Sequence, residues 1–217
     1  MNLVESHPYS EIFEPFNQGK SESCVLVTIL YGMSLVENPP IRDTKDMPSV
    51  NYSYYKSRKE EKGRCCKGDH CDYACGSVIT LGLKIAEGGV VSREAWPEEY
   101  PDSREYIKKF KKDPTMGSRH IHVLNSYDVL DVNSDSIVNS LDKGHPVVAN
   151  IRVFDEQHSF FTRVDGEGTG VYHPVYSLPK ATGQPRELGH CELIIGYSKR
   201  NQSFRARNSF GTGWGYR

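Results

Sequence analysis

The chain has 217 residues, 37% of them hydrophobic and 11% aromatic, and its 27 basic and 28 acidic side chains leave a net charge of -1. That length is ample for a buried core, in one large domain or two small lobes, and the aromatic content excludes a solvated, disordered tail. Balanced charge excludes a broad nucleic-acid or membrane-surface binder, so function must come from a local site.

The first segment, Met1 to Phe16, carries Glu5, His7, Glu11 and Glu14 and has no apolar core of its own, so it does not read as a signal peptide. No stretch approaches 18 uninterrupted apolar residues, which excludes a transmembrane helix. As written the chain reads as cytosolic; if it is a mature fragment, lysosomal, secreted or virion locations open. After a polar leader ending at Ser23, Leu26, Ile29, Leu30, Met33 and Val36 recur at helical spacing, which predicts a buried helix over 24–36 with Ser23 as N-cap and Asn38-Pro39-Pro40 as its stop. The stretch from Ile41 to Asp72 is polar and rich in Tyr and Lys, and the run Lys56-Ser57-Arg58-Lys59 reads as a solvated face. Two sequons, Asn51-Tyr52-Ser53 and Asn201-Gln202-Ser203, matter only in a secretory lumen.

A second helix is predicted over 77–87, closed by Gly88-Gly89, and Asp113 to Gly117 reads as a connector. Beyond it the texture changes to short strands over 121–130, 146–154, 191–197 and 203–208, interrupted by one helix over 134–143. A helical first half and a strand-rich second half make an α+β pattern rather than alternating βαβ units.

Cys24 sits where a loop enters the apolar helix. Free N–H groups and the positive end of the helix dipole would favour a thiolate there, although a lone Cys in such a place more often serves as a small buried hydrophobe. Two further motifs change its meaning. Near the C-terminus runs Gly189-His190-Cys191-Glu192-Leu193-Ile194-Ile195-Gly196-Tyr197, followed by Asn208-Ser209-Phe210-Gly211-Thr212-Gly213-Trp214-Gly215. Gln18-Gly19, four spacers and Cys24 before an apolar helix, then Gly-His before a strand, then Asn-Ser-aromatic-Gly-Thr-Gly-Trp-Gly, resembles the papain family of cysteine peptidases.

The resemblance implies a two-lobe α+β fold, a helical lobe packed against a β-barrel-like lobe with the active-site cleft between them. The lobes would span 20–112 and 118–217, with 1–19 crossing over to the second. Cys24 would be the nucleophile, His190 its base and Asn208 the amide that orients the imidazole. Gln18 would donate to the oxyanion beside the Cys24 backbone N–H. Phe210 would shield the His190 to Asn208 bond, Trp214 would line the leaving-group side, and Gly76 would pair with an extended substrate. The implied activity is hydrolysis of protein or peptide substrates, as an endopeptidase and a monomer, without cofactor or metal and without nucleic-acid or membrane partners. The alternative is a catalytically impaired protein of the same fold that binds without cleaving.

The pattern departs from the family at several places. A Cys common three residues before the nucleophile is Ser21, the aromatic usual after it is Val25, and the Trp usual after Asn-Ser is Phe210. Such changes resemble a shorter, propeptide-poor subgroup of microbes and large DNA viruses, and no inhibitory segment is expected ahead of Gln18. His190 follows Cys24 by 166 residues, against about 130–150 for the family, which implies insertions around 41–70 and 164–188. Nine residues follow Asn208, so the strand that finishes the β-rich lobe is expected to be cut short. Glu192 stands where the family's strand is apolar; it either faces solvent or perturbs His190.

Four cysteines, Cys65, Cys66, Cys71 and Cys75, lie within eleven residues. Disulfides joining Cys65 and Cys66 to Cys71 and Cys75, reduced thiols, and zinc with His70 are the three readings. Cys191 reads as strand packing, and His120 and His122 as a polar strand edge.

Overall fold

A helix without a solvent face forms the centre of the molecule. In this computed structural model, which describes residues 16–18, 21–60, 66–67, 70–71, 77–96, 121–154, 187–200 and 202–211, helix α1 spans Cys24–Val36 and is buried from Cys24 through Leu35. A helix apolar on every side must be enclosed. Its buried Thr28 and Ser34 hydroxyls donate within the helix, Thr28 Oγ1 to the Cys24 carbonyl at 2.8 Å and Ser34 Oγ to the Leu30 carbonyl at 2.9 Å.

Helix α2 spans Val50–Glu60, inside the stretch read as polar. The reading of 56–59 as a solvated face is corrected at Arg58, which is only 3% exposed. The tyrosines explain the difference: Tyr52 and Tyr55 pack their rings 5.6 and 5.8 Å from Trp96, and the Arg58 guanidinium lies 5.0 Å above Tyr54. Helix α3 (Ile79–Glu87) crosses α1 closely because a Cβ at Gly82 would stand 2.6 Å from Ile29 Cδ1. It ends at Gly88, and Gly89 then takes the left-handed conformation at φ 91°.

Two short antiparallel pairs come next in the chain: β1 (Cys66–Lys67) with β2 (His70–Cys71), and β3 (Val90–Val91) with β4 (Ile121–His122). The strand predicted over 121–130 pairs over only its first two residues. Val123 and Tyr127 are both exposed, and among the described residues no strand pairs with 123–130. Helix α4 (Ser134–Asp142) is capped by Asn133, whose side chain accepts from the Ser136 backbone N–H at 2.8 Å.

The main sheet is antiparallel, in the order β5 (Val147–Phe154), β6 (Glu187–Ser198), β7 (Ser203–Arg207). Val147 stands opposite Ile194 and Ile151 opposite His190, while the β6 to β7 register shifts between Ile194 and Gly196. The arrangement of helices and antiparallel sheets is α+β as expected. The barrel-like lobe is not: among the described residues no sheet is curled or closed. Closure requires the two edge strands to meet, and here the twelve-residue β6 separates β5 from the five-residue β7.

No disulfide is present among the described residues, Cys24 and Cys191 being free; Cys66 faces Cys71 in the β1 to β2 register, and Cys65 and Cys75 lie outside the described residues. No described helix is long and apolar enough to cross a membrane.

Candidate active site

Cys24 is the first residue of α1, and the Val27 N–H, at 2.9 Å from the Ser23 carbonyl, closes the first helical turn. Ser23 therefore occupies the N-cap position, but its hydroxyl pairs with Ser21 Oγ at 2.7 Å rather than capping the backbone. The N–H groups of the first turn stay without intrahelical partners, and these with the helix dipole favour negative charge at the Cys24 position.

β6 brings the second part of the site to this helix end. Successive side chains of a strand alternate, so His190 and Glu192 share one face and Cys191 takes the other. The Cys191 carbonyl accepts from Thr28 Oγ1 at 3.1 Å, which holds the strand against the first turns of α1. A backbone hydrogen bond from Cys191 also reaches the Cys24 thiol.

Asn208 follows the end of β7. Its Oδ1 accepts from His190 Nε2 at 3.0 Å and from the Ser209 N–H at 2.6 Å, and its Nδ2 donates to Glu192 Oε1 at 2.8 Å. His190, Glu192 and Asn208 are each less than a tenth exposed. Phe210 stacks on His190 at 5.2 Å with the rings 6° from parallel, a flat apolar cover over the imidazole.

The segment 16–18 is clipped to the same corner. Asn17 and Phe210 form an isolated antiparallel bridge, Gly211 N–H donates to the Phe16 carbonyl at 3.0 Å, and the Gln18 N–H donates to the Ser209 carbonyl at 2.8 Å. Gly211 takes φ 76°, and a Cβ there would stand 3.2 Å from Asn17 Cβ, so glycine allows this approach. The Gln18 amide is held by the Ser209 hydroxyl, which donates to Oε1, and by the Ser21 carbonyl, which accepts from Nε2 at 2.6 Å. A side-chain amide nitrogen carries two hydrogens, so Nε2 keeps one for another acceptor.

Burial dominates the electrostatics. It pushes the Cys24 thiol above its ordinary value, opposed by the Cys191 backbone hydrogen bond and reinforced by the Glu22 carboxylate. It pulls His190 below the usual imidazole value, against the Asn208 hydrogen bond. Both directions favour a resting neutral thiol and neutral imidazole. Cys191 is pushed to about 12 by burial, which fits strand packing rather than nucleophilic duty. Among the described residues Glu22 is the one acidic side chain whose charge opposes a thiolate at Cys24, so Glu22→Gln is expected to lower the thiol pKa. The pH profile of iodoacetamide alkylation should move to lower pH, and an unmoved profile would show that the Glu22 charge is not felt.

Of the residues predicted for the site, Gln18, Cys24, His190 and Asn208 come to one corner of the molecule. Gly76 and Trp214 lie outside the described residues. Ser209, which ties Gln18 to the Asn208 turn, stands in the quoted motif without a role there, because its hydroxyl's partner lies 191 residues away in the sequence. Glu192 was noticed there as an anomaly but had no partner assigned.

A buried thiol at the start of a helix and, on the strand bonded to that helix, an imidazole paired with an amide stand on an α+β scaffold. The papain family cysteine protease model matches residues 53–217, about three quarters of the chain, and the protein therefore belongs to the papain family. The match starts after Cys24, so Gln18 and Cys24 rest on the motif and the geometry. An uncharacterized peptidase C1-like protein of Acanthamoeba polyphaga mimivirus is 25% identical over 210 residues, covering 92% of this chain and 60% of that protein. The chain thus spans about three fifths of the length of that relative. The crystal structure of xylellain, a cysteine protease from Xylella fastidiosa, superposes with a TM-score of 0.64 at 20% identity over 91% of this chain and 71% of its own, a likeness of fold.

Proposed function

We propose that the chain is a papain-like cysteine peptidase that hydrolyses peptide bonds in protein or peptide substrates through Cys24, His190 and Asn208. The observation that carries the reading is the His190 Nε2 to Asn208 Oδ1 bond at 3.0 Å under the Phe210 ring, beside a buried thiol at a helix N-terminus. Asn208 Oδ1 can only accept, so His190 Nε2 carries the proton and Nδ1 is the basic nitrogen of the neutral ring. Nδ1 takes the thiol proton as Cys24 attacks the scissile carbonyl, and the new charges arise as a pair that the helix terminus and the amide stabilise. The tetrahedral oxyanion is held by the Cys24 backbone N–H and the remaining Gln18 Nε2 hydrogen. The imidazolium then protonates the leaving amine, and water activated at His190 releases the acyl group.

Residues 20–112 form the helical lobe and 118–217 the strand-rich lobe in this reading; the pairing of 16–18 with Ser209, Phe210 and Gly211 supports the crossing of the leader. Gly76 pairs with the extended substrate and Trp214 lines the leaving-group side. Balanced charge suits a monomer whose ligand is a peptide backbone.

The test is labelling with an epoxysuccinyl peptide followed by peptide mass mapping. Selective modification of Cys24, lost on His190→Ala, is the expected result. Labelling spread over several thiols and indifferent to His190→Ala would leave a papain fold that binds without cleaving.

A further inference from the structure

A carboxylate lies buried behind the proposed triad, in a strand whose neighbours Cys191, Leu193, Ile194 and Ile195 are all buried. Glu192 is 8% exposed, and its contact is the Asn208 Nδ2 at 2.8 Å. Its partner across the sheet is Ala149, which offers no charge, and no cation is paired with Glu192 among the described residues. An ion pair therefore does not explain a costly buried acid, whereas the amide of Asn208 does.

We propose that Glu192 is a positioning residue: its carboxylate fixes which way the Asn208 amide faces, and through Asn208 it selects the His190 tautomer. The proposal rests on the peptidase reading for its catalytic meaning, but its geometry stands apart from it. A side-chain amide has two faces of nearly equal shape, and only its neighbours decide which end points where. A carboxylate accepts and cannot donate, so it demands Nδ2. The Ser209 N–H donates and cannot accept, so it demands Oδ1. With both satisfied, Oδ1 faces His190 Nε2, which must carry the proton, and Nδ1 is left as the base. A flipped amide would set Nδ2 against the Ser209 N–H and Oδ1 against the carboxylate. It would also call for the opposite tautomer, with the proton on the ring nitrogen that has to accept one.

The acceptor is removed at constant size by Glu192→Met and partly replaced by Glu192→Gln, whose carbonyl can still accept. At pH 8, peptide hydrolysis by Glu192→Met is expected to lose about tenfold or more in kcat with KM within about twofold, because a charge-assisted hydrogen bond behind the base is gone while the cleft is intact. Glu192→Gln should recover most of that loss. In an Asn208→Ala background, Glu192→Met should cost nothing further, since the effect passes through Asn208. Proton NMR supplies a readout independent of turnover. The His190 Nε2–H, bonded and covered by Phe210, should give a downfield resonance in the wild type and in Glu192→Gln, and lose it or move it in Glu192→Met.

Equal kcat and an unchanged resonance in Glu192→Met overturn the proposal, as does a full additional loss in the Asn208→Ala background. If the wild type hydrolyses no peptide and takes no label at Cys24, the peptidase reading fails, and the resonance still decides the role of Glu192. Glu192→Leu, also without an acceptor, carries the same measurements if Glu192→Met does not fold.

Discussion

Peptide hydrolysis should fall by at least about 10⁴-fold when Cys24 is replaced by Ala, and by a comparable factor in His190→Ala. The thiol sulfur is the only protein heavy atom in the proposed mechanism that bonds to substrate, and without it nothing replaces the acyl intermediate. Removing the imidazole leaves the thiol in surroundings that favour its neutral form, since burial and Glu22 both oppose the thiolate. The two losses should not add: a Cys24→Ala, His190→Ala double variant is expected to match the worse single one, because both residues serve one proton-coupled attack. The fold should survive Cys24→Ala, which deletes a single sulfur at the end of α1. Single-turnover cleavage of a fluorogenic peptide, with circular dichroism melts beside it, makes the comparison. Retention of more than about 1% of activity by Cys24→Ala with an intact fold would place the nucleophile elsewhere.

The second large effect concerns stability and pH. Burial raises the Glu192 carboxyl to about 7, above its ordinary 4.5. A raised acid binds its proton more tightly in the folded state than in the unfolded one. Its contribution to stability is therefore full below about pH 4.5 and is lost as pH rises through about 7. Between pH 5 and pH 8 the loss amounts to about 2–3 kcal/mol, a large share of the margin of a domain. Glu192→Gln cannot ionise and removes this slope. Any cost of the extra amide hydrogens is common to both pH values, so the difference isolates the charge. Urea unfolding of the two proteins at pH 5 and pH 8 should show Glu192→Gln gaining about 2–3 kcal/mol relative to wild type on going to the higher pH. Equal shifts in both proteins would mean that Glu192 is not held above its ordinary range.

The proposed function of Glu192 carries a stability cost at working pH, and this explains why the sequence could mark it only as an anomaly. Alternation along β6 puts position 192 on the His190 face, but whether that face meets solvent or Asn208 depends on where β7 ends. Helix α1 was legible because its burial is written in apolar residues at every position from Val25 to Leu30 except Thr28. The His190 strand and Asn208 were legible through local motifs. Helix α2 was not, since beyond Val50 the side it buries consists of Tyr, Ser and Arg, whose burial relies on ring packing with Trp96 and on a guanidinium above Tyr54. The barrel-like lobe was an expectation carried by resemblance; strand lengths of eight, twelve and five residues in one open sheet replace it. The strand end at 123–130 failed because alternation alone cannot supply a pairing partner.

The clip between Gln18 and Ser209 joins positions 191 residues apart, and Thr28 meets Cys191 across 163. Closing loops of that length is slow compared with forming α1. Synthesis runs from the first residue onward, so Cys24 leaves the ribosome long before Asn208 and Phe210 exist. During that interval the thiol has neither its proposed base in place nor the aromatic cover that stacks on that imidazole. In the proposed mechanism a nascent chain therefore cannot cleave, and competence would begin only once β7 and Asn208 after it have emerged and docked.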